Sequence, residues 1–198
     1  MQWQPRLTLS TAATADPVSI DDARSQCRVD FNDDDTLLLR KIKSATRAIE
    51  TILDRQLCTA TWVAKASGFP VYSATNPTAS MFLPRPPLQS VTSIAYLDPS
   101  GDSQTFSSSS YTVETPTRGQ GAVHLNNGVI WPTTLYHPAA VTVTFVAGYG
   151  DDGDVPDTLK DAVLALVAHQ YWNRGDESVD VPEFIRNLAY AESWGSEI

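Results

Sequence analysis

The sequence predicts an α+β fold: a small helical bundle of two long helices and short terminal helices, with an inserted antiparallel β region. Three observations lead there. Leu38, Ile42, Ala45, Ile49, Ile52 and Leu53 recur at the three-to-four spacing of one buried helix face. Leu159, Ala162, Val163, Leu164, Leu166, Val167, Ala168, Tyr171 and Trp172 mark a second helix with a wider apolar face. Between them, residues 67–140 hold most of the 13 prolines and many serines, without any helical period.

Residues 1–16 are polar and aperiodic and read as a flexible N-terminal arm, ordered only if something holds it. Ser19 followed by Asp22 is the pattern of a capping box, for a short helix from Ile20 to about Cys27. Asp30, Asn32 and Asp34 imitate the start of a calcium loop. The sixth position is Asp35 instead of glycine and the twelfth is Lys41 instead of glutamate, so the acidic turn reads as an N-cap, with Asp33 or Asp34 as the cap. The first long helix is expected over Asp35 to Leu57. Arg40, Lys43 and Arg47 line its other side and read as a solvated face with internal ion pairs such as Arg47 with Glu50.

Thr59 to Ala66 alternates and reads as a strand, and further short strands are expected at Ser80–Leu83, Ser90–Leu97, Ser110–Glu114 and Ala122–Leu125. Asp98-Pro99-Ser100-Gly101 is a turn, because proline presets φ and glycine accepts a positive φ. Arg85, Pro86, Pro87 and Leu88 read as an extended loop, since proline joins neither a helix interior nor a central strand. The β-rich insertion is placed at about 59–147, inside one domain spanning 17–190.

Val141, Val143, Phe145 and Ala147 alternate with Thr142, Thr144 and Val146 as a strand does. Gly148, Gly150 and Gly153 break it, and Asp151, Asp152, Asp154 and Asp157 crowd the positive end of the next helix. Pro156 suits that helix's first turn, and Gly175 is expected to stop it as a C′ residue. A helix this apolar expects neighbours on most sides, some of them from another subunit. A polar turn, DESVD, then leads to a short helix from Glu183 to about Tyr190, with Phe184, Ile185 and Leu188 as its apolar side. Residues 191–198 form a tail whose Trp194 suits a protein contact.

Composition narrows the function. The net charge is −9, from 14 basic and 23 acidic residues. Residues 150–198 hold 11 acidic residues against 3 basic ones, a net of −8. That argues against tight nucleic-acid binding, which wants a basic patch. No apolar run is long enough for a membrane span, and the first ten residues lack the apolar segment of a secretory signal. Cys27 and Cys58 have no CxxC spacing and are expected as reduced thiols of a cytoplasmic product. His124, His137 and His169 show no zinc-ligand spacing, and His169 reads as structural. GxGxxG, GxxxxGK[ST] and GxSxG are all absent. The sequence therefore offers no catalytic, cofactor-binding or metal residue, and no cofactor is expected.

Four stretches, in order, resemble one family. PVSIDDARSQCRVDFNDDD is similar to its opening helix and acidic turn, and LLLRKIKSATRAIETILDRQL to its first long helix. FLPRPPLQSVTSIAYLD is similar to its proline-rich strand entry, and the strand, AGYG, acidic turn and apolar helix ending HQYWNRG to its C-terminal part. Together they cover about residues 17–190 and resemble the head-tail connector (adaptor, or head-completion) proteins of long-tailed bacteriophages and gene transfer agents. The resemblance implies a non-enzymatic virion protein at the head-tail interface. It implies a ring of twelve copies on the portal protein that extends the channel and presents a surface to a stopper or tail-terminator protein. DNA would pass through without specific binding, and no membrane is involved. By the same resemblance Phe184, Ile185, Leu188 and Trp194 are the expected portal-facing residues. Arg85, Pro86, Pro87 and Leu88 are expected to reach a neighbouring subunit or the tail.

Two other readings compete. One is a monomeric acidic binding module, regulatory or DNA-mimicking, with no affinity for a portal. The other is a hydrolase built on the Asp151–Asp157 carboxylates, which would require a divalent metal.

Overall fold

The structure, a computed structural model, describes residues 3–72, 78–117, 119–173 and 181–191. The chain divides into two compact units. One comprises residues 1–12 and 60–148, the other residues 13–59 and 149–198. Its strands are β1 (Arg6–Thr11), β2 (Ala60–Ala66), β3 (Met81–Leu83), β4 (Leu88–Leu97), β5 (Ser103–Thr105), β6 (Tyr111–Glu114), β7 (Gly121–Leu125) and β8 (Val141–Ala147). Its helices are α1 (Ile20–Cys27), α2 (Asp35–Leu53), α3 (Asp157–Trp172) and α4 (Glu183–Tyr190).

The β unit holds two antiparallel sheets, one ordered β1-β2-β8-β4-β5 and one ordered β3-β7-β6. β8 is the middle strand of the larger sheet, and its alternation is real. Val141, Val143, Phe145 and Ala147 are buried while the intervening residues are half-buried. Trp62 of β2 and Val91 of β4 lie opposite Phe145 on either side. The core adds Ala64, Met81, Leu83, Leu88, Ile94, Tyr111 and Val123. Phe69 stacks on Trp131 with ring centroids 4.6 Å apart, Phe106 and Tyr111 extend the aromatic group, and Trp131 donates its indole N–H to the Ala79 carbonyl (2.8 Å). Gly121 passes so close to Leu88 that a Cβ there would lie 2.3 Å from the Leu88 Cβ.

The Asp98 turn forms as its residues dictate. Asp98 accepts the backbone N–H groups of Ser100 (2.9 Å) and Asp102 (3.0 Å), and Gly101 takes φ +94°. Gln104 also donates to the carboxylate (3.0 Å). These bonds, Gln104 first, hold its pKa below the ordinary carboxylate value.

One expectation needs correction here. Residues 6–11 are not a free arm but the edge strand β1, paired with β2 from Arg6↔Lys65 to Thr11↔Thr61. β1 and β5 are almost wholly exposed. An edge strand that covers little core needs no apolar alternation, so neither declares itself in the sequence.

The helical unit packs α1, α2, α3 and α4 around one core. α1 begins with the expected capping box: Asp22 N–H donates to Ser19 Oγ (3.0 Å) and Ser19 N–H to the Asp22 carboxylate (3.1 Å). α2 buries Leu38, Ile42, Ala45 and Ile49. α3 buries Leu159, Ala162, Val163, Leu166, Val167 and Tyr171, so α1, α2 and α4 of the same chain supply the neighbours its wide apolar face demands. Trp172 is the exception, 64% exposed.

α2 ends at Leu53, four residues before the expected Leu57, because Asp54 turns left-handed (φ 49°). The Glu50 carboxylate then captures the departing chain, accepting from Gln56 Nε2 (2.7 Å) and the Leu57 N–H (3.0 Å). Leu57 returns a carbonyl to the Tyr149 N–H (2.8 Å), and Arg55, nearly buried, donates to the Tyr149 hydroxyl (2.8 Å). The expected stop at Gly175, the DESVD turn and Trp194 lie outside the described residues.

Candidate assembly surfaces

The residues singled out by the sequence separate into those that build the fold and those that face outward. The acidic turn before α2 builds the fold. Arg24 of α1 donates Nε to Asp35 Oδ1 (2.9 Å), a second guanidinium nitrogen to Asp35 Oδ2, and a third to Asp21 Oδ1 (2.6 Å). The Asp35 and Asp21 carboxylates push the Arg24 pKa up, the hydrogen bond to Asp35 most of all. Asp34 occupies the N-cap position without capping through its side chain. Its carboxylate accepts from the Tyr171 hydroxyl of α3 instead (2.5 Å). The acidic turn thus ties three helices together.

The Asp151–Asp157 group also has structural work. Residues 152–154 form a single 3-10 turn, and the Asp154 carboxylate accepts the Asp151 N–H (3.2 Å). Gly150 is required beside it. Its φ is +145°, and a Cβ there would lie 2.1 Å from the Asp154 carboxylate oxygen. Asp157 opens α3, where its charge suits the helix dipole. Among the described residues, no three His, Cys, Asp or Glu side chains come together to hold a metal.

The other reactive side chains are likewise occupied. His124 bonds Ser80 Oγ through Nδ1 (2.8 Å) and Glu114 through Nε2 (2.9 Å). His169 bonds only Asn173 among the described residues, through Nδ1 (3.2 Å) and its carbonyl (2.8 Å). Cys27 and Cys58 are buried free thiols. Burial pushes both pKa values up, that of Cys58 to about 12 with nearby carboxylates adding to the effect, so neither is primed as a nucleophile.

The residues expected to meet partners divide in the same way. On α4, Phe184 is 64% exposed and Leu188 half-buried, while Ile185 has no exposed surface and belongs to the helical core. Within the single chain Ile185 is a core residue rather than a surface one. Trp194 lies outside the described residues. In the proline-rich bend, Pro86, Pro87 and Leu88 are buried, the Pro86–Pro87 peptide is cis, and Arg85 has φ 63° with its guanidinium 5.3 Å from the centroid of the Trp62 ring. The segment expected as an extended loop is a bend with Pro86, Pro87 and Leu88 buried. Two successive prolines cannot extend a ladder, but their rings pack well in a core. Outward-facing helical surface includes the acidic start of α3, the exposed side of α4, and the face of α2 bearing Thr36, Leu39, Arg40, Lys43, Ser44 and Arg47. The expected Arg47–Glu50 pair does not form, since Glu50 is turned toward residues 56 and 57. No helix among the described residues is long and apolar enough to cross a membrane.

This arrangement of a capped short helix, an acidic turn and a long helix leading into strands has a recognised counterpart. Residues 17–96 match the family model described as phage gp6-like head-tail connector protein. The chain is similar to head-tail connector proteins. Solved structures agree over more of its length. A chain in the neck of an empty gene transfer agent particle, computed with C6 symmetry, superposes with a TM-score of 0.75 at 20% identity, covering 94% of both chains. One in the virion of a native gene transfer agent particle gives 0.76 at 19% identity, again over 94% of both. One in the neck of a native particle, computed with C12 symmetry, gives 0.73 at 19%, covering 94% of this chain and 93% of that one. At these identities the likeness is one of fold. No curated protein matches the chain.

Proposed function

We propose that this chain is a structural virion protein: a head-tail connector that forms a ring on the portal, extends the DNA channel and joins the capsid to stopper or tail components. The observation that carries the reading is the likeness in fold, over 94% of the chain, to subunits of gene transfer agent necks, together with the family match over residues 17–96. The C6 and C12 symmetries of those necks support self-association around an axis. The chain's own chemistry agrees. Asp154 caps the turn before α3, Asp34 ties α3 to the start of α2, and His124 bonds Glu114, so these groups serve the fold. With a net charge of −9, the surface would let DNA pass without holding it.

The partners in this reading are further copies of the chain, twelve to a ring, the portal protein on one side and a stopper or tail-terminator protein on the other. The exposed Phe184 of α4, the half-buried Leu188 one turn on, and the tail with Trp194 are the proposed portal-facing elements. Ile185 contributes by holding α4 to the core. Assembly would take place in the host cytoplasm and the product would reside at the head-tail interface of the particle.

Co-purification tests the docking element. A chain lacking residues 182–198 is expected to lose the portal while its β unit stays folded. Because that deletion also removes Ile185 and Leu188 from the helical core, Phe184→Ser in the full chain is the sharper variant. It should weaken portal retention with the circular dichroism spectrum unchanged. Full retention by that variant would move the dock away from α4. The competing acidic-module reading predicts a folded monomer that ignores the portal altogether.

A further inference from the structure

The face of α2 opposite its buried stripe concentrates positive charge in an acidic chain. Residues 40–47 read RKIKSATR, four of the chain's 14 basic residues with no acidic one among them. Arg40, Lys43 and Arg47 are exposed and spaced i, i+3, i+7, so they share one side of the helix. Leu39, 42% exposed, lies beside them in the same shallow concavity. Among the described residues no carboxylate pairs with any of these three cations.

The complement is on the same chain. Asp152, Asp157 and Asp161 are exposed at the start of α3 and just before it. Among the described residues Asp157 has a loose contact of 3.6 Å to Lys160. One copy cannot close these two surfaces on each other. The buried side of α2 (Leu38, Ile42, Ala45, Ile49) faces the core that contains α3, so the basic side points away from it. Two different, complementary patches on one chain are what a head-to-tail interface uses, and such an interface closes into a ring when its rotation allows. The stoichiometry also fits: every basic face finds one acidic edge. Charge complementarity of this kind sets register and rejects wrong pairings more than it adds affinity.

We propose that Arg40, Lys43 and Arg47 of one copy dock against Asp152, Asp157 and Asp161 of a second copy, forming the repeating contact of the ring. The proposal rests on the ring reading above. Three full-length variants test it: R40E/K43E/R47E, D152K/D157K/D161K, and a chain carrying both sets. The substituted side chains are exposed, so circular dichroism should show the wild-type fold throughout, with a slightly lower thermal midpoint where Lys replaces Asp157 at the start of α3. Native mass spectrometry of each chain with the portal protein then reads the number of copies bound. Either single set should raise the concentration needed for a complete ring at least about tenfold, and the chain carrying both should recover to near the wild-type value. Rings from the single sets at wild-type concentrations would overturn the proposal. So would loss without recovery in the combined chain, which would assign the basic face to the portal or to DNA. A wild-type chain that forms no ring overturns the ring reading itself, and this is seen before any variant is compared.

Discussion

Phe145→Ala probes the β unit where it is most constrained. Phe145 sits midway along the central strand β8 with no exposed surface, opposite Trp62 on β2 and Val91 on β4. Both flanking strands are held to β8 by ladder hydrogen bonds, so they cannot move in to fill the space. The cost should therefore lie within the usual range for such truncations, about 3–5 kcal/mol, the lost transfer energy plus an unrelaxed cavity. Against a total stability of order 5–15 kcal/mol for an ordinary domain, that is a large share. Ile49→Ala is the counterpart in the helical unit, fully buried on α2, at about 2–5 kcal/mol. Hydrogen exchange followed by mass spectrometry, in urea below the unfolding midpoint, assigns each loss to a region. Phe145→Ala should speed exchange in β2, β4 and β8 far more than in α2 and α3, and Ile49→Ala the reverse. A loss under about 1 kcal/mol at Phe145, or equal acceleration in both regions from either variant, would refute the assignment of a separate core to each unit.

Three further outcomes follow from single contacts. Gly121→Ala pushes a methyl group to 2.3 Å from the Leu88 Cβ and should cost about 1–3 kcal/mol in urea denaturation, with no glycine-specific φ involved. Tyr171→Phe removes the hydroxyl that Asp34 accepts from and should cost about 1.5–3 kcal/mol, read as a lower thermal midpoint. Burial raises the Cys58 pKa from 9.0 to about 12, so the neutral thiol is favoured in the folded chain. The stabilisation is complete below pH 9 and is lost as pH rises from there toward 12. Cys58→Ala should flatten that alkaline decline, and the native wild-type thiol should resist alkylation at pH 8 while the urea-unfolded chain reacts.

How much of this was legible in the sequence depends on what each element covers. α1 announced itself through Ser19 and Asp22, α2 through Leu38 to Ile49, and β8 through Val141 to Ala147, because each buries one face and caps or alternates accordingly. β1 and β5 were silent, since edge strands that stay exposed have no reason to alternate. The end of α2 was misjudged by four residues because the deciding contact, Glu50 with Gln56 and Leu57, is a side-chain capture that carries no period. The burial of apolar residues in short segments was not legible either. Pro86, Pro87, Leu88 and Ile185 serve cores, and an apolar side chain in a short segment gives no sign of which side of the surface it will occupy. The outward face of α2 was visible as a basic stripe, yet its lack of carboxylate partners among the described residues emerged only once Glu50 was seen to turn elsewhere.

The measurement that bears most directly on the function is electron microscopy of the purified chain incubated with the portal protein of the same particle. The account predicts a ring of added density, coaxial with the portal and seated at its outer end, with the exposed side of α4 against the portal. A portal that gains no density, beside a chain that is folded and monomeric, would contradict the connector reading.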